Sequence, residues 1–421
     1  MAFRFLHTAD IHLDSPLKSL ALLNPELAGL ISLATRRSFI QTIDLCLEER
    51  VDALIIAGDL YDGEQTSMKT ARFLAEQLGR LHQAGIRTYI IRGNHDALSR
   101  ITAQLIMPDT VKVFGEAAEV IMVERSAQDF DVAIHGMSFA KPHAPESLLR
   151  HFAVPTPDAV NIGIMHTSLG GSAGHDPYAP CSVAELRQTG FQYWALGHIH
   201  KRSTFEEKSC AIVMPGIPQG RDINEDGSKT VSLVTVNDDR TVVVEERRTA
   251  VAQFERLQIN VSTAVDWEDV VTVSKRQLSE HASVMPSHQI VTRVEVTASG
   301  ELAWCVRRDI DLLRTELERQ GSLIGNIWVE KVKVSSARPR QIEGNFGAID
   351  ELATIIEKEI RGSVDFNTEM KVIADELRSQ LPTELRDIFG NDLMAFETLM
   401  ARFANEGTAH VLARLQNVEG E

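Results

Sequence analysis

At 421 residues the chain exceeds the roughly 250 to 300 residues at which single cores stop growing, so two or three domains are expected. Its 43% hydrophobic and 24% charged residues fit a soluble globular protein, and no apolar run is long enough to span a bilayer. The formal net charge of −16, shared by both halves of the chain, excludes a protein whose whole surface grips nucleic acid, because phosphate neutralisation by Lys and Arg supplies most non-specific affinity.

Any DNA contact must therefore be local. The first residues, Met1 to His7, lack a basic region followed by a long apolar core, so a cytoplasmic protein without a membrane segment is expected. Cys46, Cys181, Cys210 and Cys305 form no CxxC pair. They read as reduced thiols rather than a zinc ribbon or a disulfide framework.

The first hundred residues alternate apolar strands with amphipathic helices: Phe3 to His7, a helix near 34 to 50, Ala53 to Ala57, a helix near 68 to 84, then Thr88 to Ile91. From 111 to 250 the segments shorten into strands at Val111 to Phe114, Glu119 to Val123, Val132 to His135, Val160 to Met165, Tyr193 to Leu196, Ile212 to Met214, Val231 to Val236 and Thr241 to Glu246. A second sheet follows, and with it a helix-covered α/β sandwich over 1–250. Near Ala250 the pattern resets to strand, helix, strand, helix, strand at about 254–261, 266–281, 288–298, 302–319 and 326–335. This predicts a small α+β accessory domain over 251–337. The segment Ser336-Ala337-Arg338-Pro339-Arg340 reads as a linker into a helical tail, 338–421, broken at Pro382 and at Gly390-Asn391.

Five clusters of Asp, His and Asn each follow an apolar run, where α/β sheets place their sites. They are His7-Thr8-Ala9-Asp10-Ile11-His12, Gly58-Asp59-Leu60-Tyr61-Asp62, Gly93-Asn94-His95-Asp96, Met165-His166-Thr167 and Gly197-His198-Ile199-His200. The DxH and HxH spacings put two donors on the same side of an extended segment. Mixed carboxylate, imidazole and amide donors suit two divalent ions, with Mn the first choice and Fe or Zn as alternatives, better than Mg or Ca. One site would use Asp10, His12 and His200, the other Asn94, His166 and His198, with Asp59 bridging. Such pairs generate a hydroxide near neutral pH and clamp the attacking and leaving oxygens of a phosphoester. His95, beside Asn94, is then the candidate catalytic acid. Asp96 reads as orienting His95 or its turn.

These motifs resemble the calcineurin-like metallophosphoesterases, and within them the SbcD-type DNA repair exonucleases. The bacterial YhaO-like branch is the most similar, through His7 to Pro16 and through Pro215-Gly216-Ile217-Pro218-Gln219-Gly220-Arg221. The resemblance is specific over about 1 to 225. It implies a four-layer α/β/β/α sandwich, two Mn ions, and action on DNA with an SMC-like coiled-coil ATPase that docks on the C-terminal helices. It leaves room for a homodimer. Relatives from archaea and eukaryotes carry a second functional histidine where this chain has Asp62, so His95 alone is carried over and Asp62 is expected to hydrogen-bond a ligand or turn.

Other residues have both a structural and a functional reading. His7 lies just before the first ligands and reads as a buttress or a core histidine. His135, His175, Tyr178 and Arg221 are candidates for substrate contact, Arg221 because guanidinium binds phosphate bidentately. The leading function is a Mn-dependent DNA nuclease. A phosphatase or small-nucleotide phosphodiesterase would use the same ligands, and a regulatory subunit of an ATPase complex would need little activity of its own.

Overall fold

The computed structural model describes residues 2–15, 25–61, 67–97, 107–123, 130–170, 178–207, 209–285, 289–336, 348–381, 389–390 and 392–415. They fall into two compact units. One comprises Met1–Arg256, Met285–Thr292 and Asn326–Glu330; the other comprises Leu257–Val284, Arg293–Gly325 and Lys331–Glu421.

The first unit contains two six-stranded sheets. In chain order its strands are β1 (Phe3–Thr8), β2 (Ala53–Ala57), β3 (Arg87–Ile91), β4 (Val111–Val113), β5 (Glu119–Val123), β6 (Asp131–Gly136), β7 (Ala159–His166), β8 (Tyr193–Gly197), β9 (Ser203–Glu207), β10 (Cys210–Met214), β11 (Thr230–Val236) and β12 (Val242–Arg248). One sheet has the order β12-β11-β1-β2-β3-β4 and the other β5-β6-β7-β8-β10-β9. Strands β1 to β4 pair in parallel, as do β6, β7, β8 and β10 along theirs. Parallel strands buried on both faces read as unbroken apolar runs, which is why Leu54-Ile55-Ile56 and Ile162 to Met165 were legible.

Alternation along each strand sorts side chains between two faces. Phe3, Phe5, Ile55, Ile134, Ile162, Ile164, Tyr193 and Ala195 meet in one core between the sheets. Leu6, Leu54, Ile56 and Leu233 face outward against Phe39 and Ile43 of α2 (Ala34–Glu48, preceded by α1, Pro25–Ser32) and Leu74, Leu78 and Leu81 of α3 (Met68–Gln83). Outside the second sheet, Met165, Trp194 and Ile212 pack under Leu186 of the short helix α4 (Val183–Gln188) and under Leu148 and Phe152. The order helix, sheet, sheet, helix is the expected four-layer sandwich, thin on its second outer layer.

Three elements escaped the sequence pattern. Strand β9, Ser-Thr-Phe-Glu-Glu, is an exposed edge with no apolar alternation. Helices α1 and α4 have 8 and 6 residues, too short for a periodic signal. Ser182 and Glu185 form a capping box that starts α4.

A third sheet has the order β13-β14-β15, from Ala252–Asn260, Gln289–Ala298 and Ile327–Ser336. In the second unit, α5 (Trp267–Val284) packs on α7 (Ile310–Ile324); the first buries Val270 and Leu278 and the second Leu313 and Leu317. The single helix expected near 302–319 is two: α6 (Gly300–Arg308) ends where Asp309 leaves helical geometry at φ −102° and ψ 28°. The helical tail is present as α8 (Ala348–Ile355), which continues as a π-turn over Ile356–Ile360, α9 (Val364–Gln380) and α10 (Leu393–Leu415). Its unforeseen break at Gly362 is fixed by Ser363, whose hydroxyl accepts from the Phe366 amide at 3.2 Å and so caps α9. The linker residues from Ala337 to Arg340, with Pro382 and Asn391, lie outside the described residues.

Trp194 is fully buried, stacks on Phe191 at 4.8 Å between centroids, and lies over Gly163 so closely that a Cβ there would meet it at 2.3 Å. Trp194→Ala is expected to lower unfolding free energy by about 3 to 5 kcal/mol, read as a fall in the urea midpoint at unchanged slope. A loss under about 1 kcal/mol would contradict this packing.

Candidate metal centre

The carboxyl ends of β1, β2, β3, β7 and β8 deliver the five motifs to one end of the inter-sheet core. Four of the delivered residues have left-handed backbone: Asp10 at φ 51°, His12 at 44°, Asp59 at 51° and His198 at 103°. Such angles cost of order 1 to 3 kcal/mol each for non-glycine residues and persist only where surrounding bonds enforce them. Here the β1 and β2 exits hold each other: the Asp10 amide donates to Gly58 O at 3.0 Å, His12 to Asp59 O at 3.0 Å and Leu13 to Leu60 O at 2.9 Å. Glycine is required at the crossing points. Gly58 has φ 92°, and a Cβ at Gly93 would lie 2.2 Å from the Asp59 carboxylate.

Two candidate metal-binding triads result, Asp10-His12-His200 and Asp59-His166-His198, each with its ligand atoms within 4.8 Å of one another. In the first, His12 Nε2 and His200 Nε2 are 3.1 Å apart. In the second, His166 Nε2 lies 3.3 Å from Asp59 Oδ2 and 3.0 Å from Asn94 Oδ1, which is also 3.2 Å from His198 Nδ1. Asn94 thus joins the second group. Backbone links tie the groups together, since the His198 amide donates to both Asp10 oxygens at 3.1 and 3.0 Å and the His95 amide to Asp59 Oδ1 at 2.9 Å.

The donor set fits divalent cations. His166 Nδ1 faces the Ala57 carbonyl at 2.9 Å, which can only accept, so Nδ1 carries the proton and Nε2 is left with its lone pair. That lone pair meets a carboxylate and an amide oxygen, three acceptors around one point. A cation at that point satisfies all three. Although burial opposes charge, Asp59 and Asp10 push the His166 pKa up to about 9. Opposite behaviour marks His12, whose burial pushes its pKa down to about 3 and keeps the imidazole neutral, the form that binds metal. Burial raises Asp10 to about 6, with Asp59 adding to the rise, whereas His166 holds the buried Asp59 carboxyl well below its usual range.

The remaining expected residues divide. His95 is exposed at the mouth, its ring edge-on to His12 at 5.0 Å. Tyr178 stands beside the second triad, 5.1 Å from the His198 ring and 5.9 Å from His143. Asp96 is buried and accepts from Gly93 N at 2.6 Å and Leu60 N at 3.0 Å, so it clamps the turn rather than a metal, and burial lifts it to about 7. His7 joins the two sheets: Nδ1 takes the Tyr193 hydroxyl at 2.9 Å and Nε2 donates to Leu196 O at 3.1 Å. Asp62 and His175 lie outside the described residues.

One expectation of substrate contact is corrected, that of His135. His135 is turned away from the metal-binding end by strand alternation: on β6, Val132 and Ile134 face the inter-sheet core, so His135 points to the outer face. There it packs on Phe191 at 4.4 Å and bonds Asn161 Oδ1 at 2.8 Å. Arg221 is engaged in an ion pair with Glu225, Nη2 to Oε1 at 2.7 Å, behind His200. Glu225, which stands behind His200, is a residue that sequence reasoning missed. It accepts from His200 Nδ1 at 2.8 Å, and despite burial His200 and Arg221 hold its carboxyl well below the usual range. The only sequence signal is its place four residues after Arg221 in an Asp/Asn-rich loop.

Two candidate metal-binding triads stand at the strand ends of a double-sheet sandwich. Residues 3–202 match the family of calcineurin-like phosphoesterases, and residues 254–337 match the middle domain of metallophosphoesterase YhaO. The chain carries a calcineurin-like metallophosphoesterase domain. It is 34% identical over 260 residues to the uncharacterized metallophosphoesterase YhaO of Bacillus subtilis (strain 168), covering 62% of this chain and 64% of that protein. It is 27% identical over 214 residues to the DNA double-strand break repair protein Mre11 of Sulfurisphaera tokodaii (strain DSM 16993 / JCM 10545 / NBRC 100140 / 7), covering 50% of this chain and 52% of that protein. The chain thus spans less than two thirds of the length of either relative. Among solved structures, TT1561 of Thermus thermophilus is 13% identical with a TM-score of 0.34, covering 58% of this chain and 99% of that one.

Asp59→Asn keeps the shape of the pocket but removes the buried charge facing His166. Bound metal, measured by elemental analysis after gel filtration, is expected to fall by at least one ion per chain. Retention of the full complement would show that Asp59 holds no metal.

Proposed function

We propose that the chain is a Mn-dependent DNA nuclease that hydrolyses phosphodiesters. The observation that carries this is the pair of donor triads opening beside one exposed histidine. Two divalent cations in these triads supply neutralising charge for a phosphoester and an activated water near neutral pH. Imidazole, carboxylate and amide donors together favour Mn, with Fe or Zn as alternatives.

The chain's own residues account for the rest of the chemistry. His95 is fixed by its backbone, which donates to Asp59 Oδ1 at 2.9 Å, while its exposed ring stands over the mouth. It delivers a proton to the leaving oxygen, a task that suits imidazole near neutral pH. No Ser or Cys nucleophile is needed: buried Cys181 and Cys210 are pushed up to about 11 by burial and stay as thiols. Tyr178, between His143 and His198, forms an aromatic wall on which a nucleotide can rest.

The choice of DNA is supported by the similarity to an archaeal Mre11 and works against the acidic overall charge, which confines contact to the cation-loaded mouth. In this reading the protein works in the cytoplasm in DNA repair or end processing, with an SMC-like coiled-coil ATPase. Among the described residues no helix is long and apolar enough to cross a membrane. The ATPase contact falls on the C-terminal helices, where Val372, Ile373 and Leu377 of α9 and Leu393 and Met394 of α10 are exposed.

End-labelled DNA incubated with the purified protein, with and without the ATPase, is expected to be cut in Mn and left intact in EDTA. His95→Ala is expected to slow cutting by about 10²- to 10⁴-fold while bound metal is unchanged. DNA left whole under every combination, with rapid turnover of small phosphodiesters, would overturn the nuclease reading in favour of a small-substrate phosphodiesterase.

A further inference from the structure

One histidine of each triad differs from its counterpart in what stands behind it. His166 of the second triad is backed by a backbone carbonyl, Ala57 O at 2.9 Å. His200 of the first is backed by a carboxylate, Glu225 Oε1 at 2.8 Å, itself 11% exposed. A carboxylate accepting the Nδ1 proton fixes the tautomer with the Nε2 lone pair toward the metal, orients the ring, and makes the imidazole a stronger donor than a neutral carbonyl does.

Glu225 is itself held on several sides. Its Oε2 accepts from the Arg221 amide at 2.7 Å, and its Oε1 accepts from Arg221 Nη2 at 2.7 Å and Nε at 3.2 Å. The Glu225 amide donates to Asp222 O at 3.1 Å, closing the loop on itself. Arg221 Nη1 reaches Ser15 Oγ at 3.4 Å, and the Ser15 amide donates to His12 O at 3.0 Å. The network therefore runs from one imidazole of the first triad, His200, through Glu225 and Arg221 back to the segment that carries the other, His12. None of these bonds touches Asn94, His166 or His198.

We propose that Glu225 is a positioning residue for the first triad alone, and that with Arg221 it makes Asp10-His12-His200 the tighter of two unequal metal positions. The proposal rests on the two-ion reading above and concerns only how the ions are held. Arg221 thereby has a role that explains why its guanidinium is turned onto Glu225.

The test is Mn titration of the full chain, freed of metal with chelator, followed by calorimetry and by electron paramagnetic resonance. The spectrum distinguishes one isolated Mn(II) from a spin-coupled pair. Wild type is expected to bind two ions in two resolved steps, the coupled signal appearing with the second. Glu225→Gln keeps an oxygen for His200 Nδ1–H but removes the charge, and is expected to weaken one step by about 10- to 100-fold while the other stays within about twofold. The coupled signal should then need correspondingly more Mn. Should Glu225→Gln fail to fold, Arg221→Lys, which keeps the charge but loses the fork, is expected to weaken the same single step by a smaller factor. Equal weakening of both steps, or no weakening, would overturn the proposal while leaving the two-ion reading intact. Wild type that binds fewer than two ions would overturn both.

Discussion

A buried carboxylate beside a buried imidazole organises this protein. Asp59 and His166 meet at 3.3 Å with almost no solvent access, one from the end of β2 and the other from the end of β7, so the contact joins the two sheets. An ionised carboxylate in such a place is costly unless matched by positive charge and hydrogen bonds. The His95 amide supplies a hydrogen bond, and the positive charge falls to His166 or to a bound cation. The left-handed residues, the glycines at 58 and 93, and the Asp96 clamp on the Gly93 turn serve to hold these two groups and their neighbours at that distance.

The sandwich makes such a meeting possible. Parallel strands end their apolar runs at one edge, and alternation puts Ile164 and then His166 on the inner face, so the last inward side chain of β7 is a ligand-type residue where the core stops. His7 repeats the logic one layer deeper. It is inward on β1, bonded to Tyr193 and Leu196 of β8, and its pKa is pushed down to about 3 by burial and by Arg202. A neutral histidine there joins the sheets below the metal-binding end without adding charge to it.

Much of this was legible because the signals are local. Ala53 to Ala57 and Glu119 to Val123 match the observed strands, and each cluster of Asp, His and Asn follows directly on an apolar run. What failed needed information that no short window holds. His135 sits one residue from inward-facing Ile134, and only the register of β6 shows that it points outward. The partner of Arg221 is set by a loop that returns Glu225 to His200, a tertiary contact across 25 residues. Strand β9 is a polar edge without alternation, and the α6–α7 break rests on the backbone of Asp309 alone.

The central claim is that two cations sit between these particular side chains. The most direct measurement is anomalous diffraction from crystals grown with Mn. Two peaks about 3.5 to 4 Å apart are expected, one among Asp10, His12 and His200 and the other among Asn94, His166 and His198, with Asp59 between them. A single peak, or a pair held by other residues, would contradict the account.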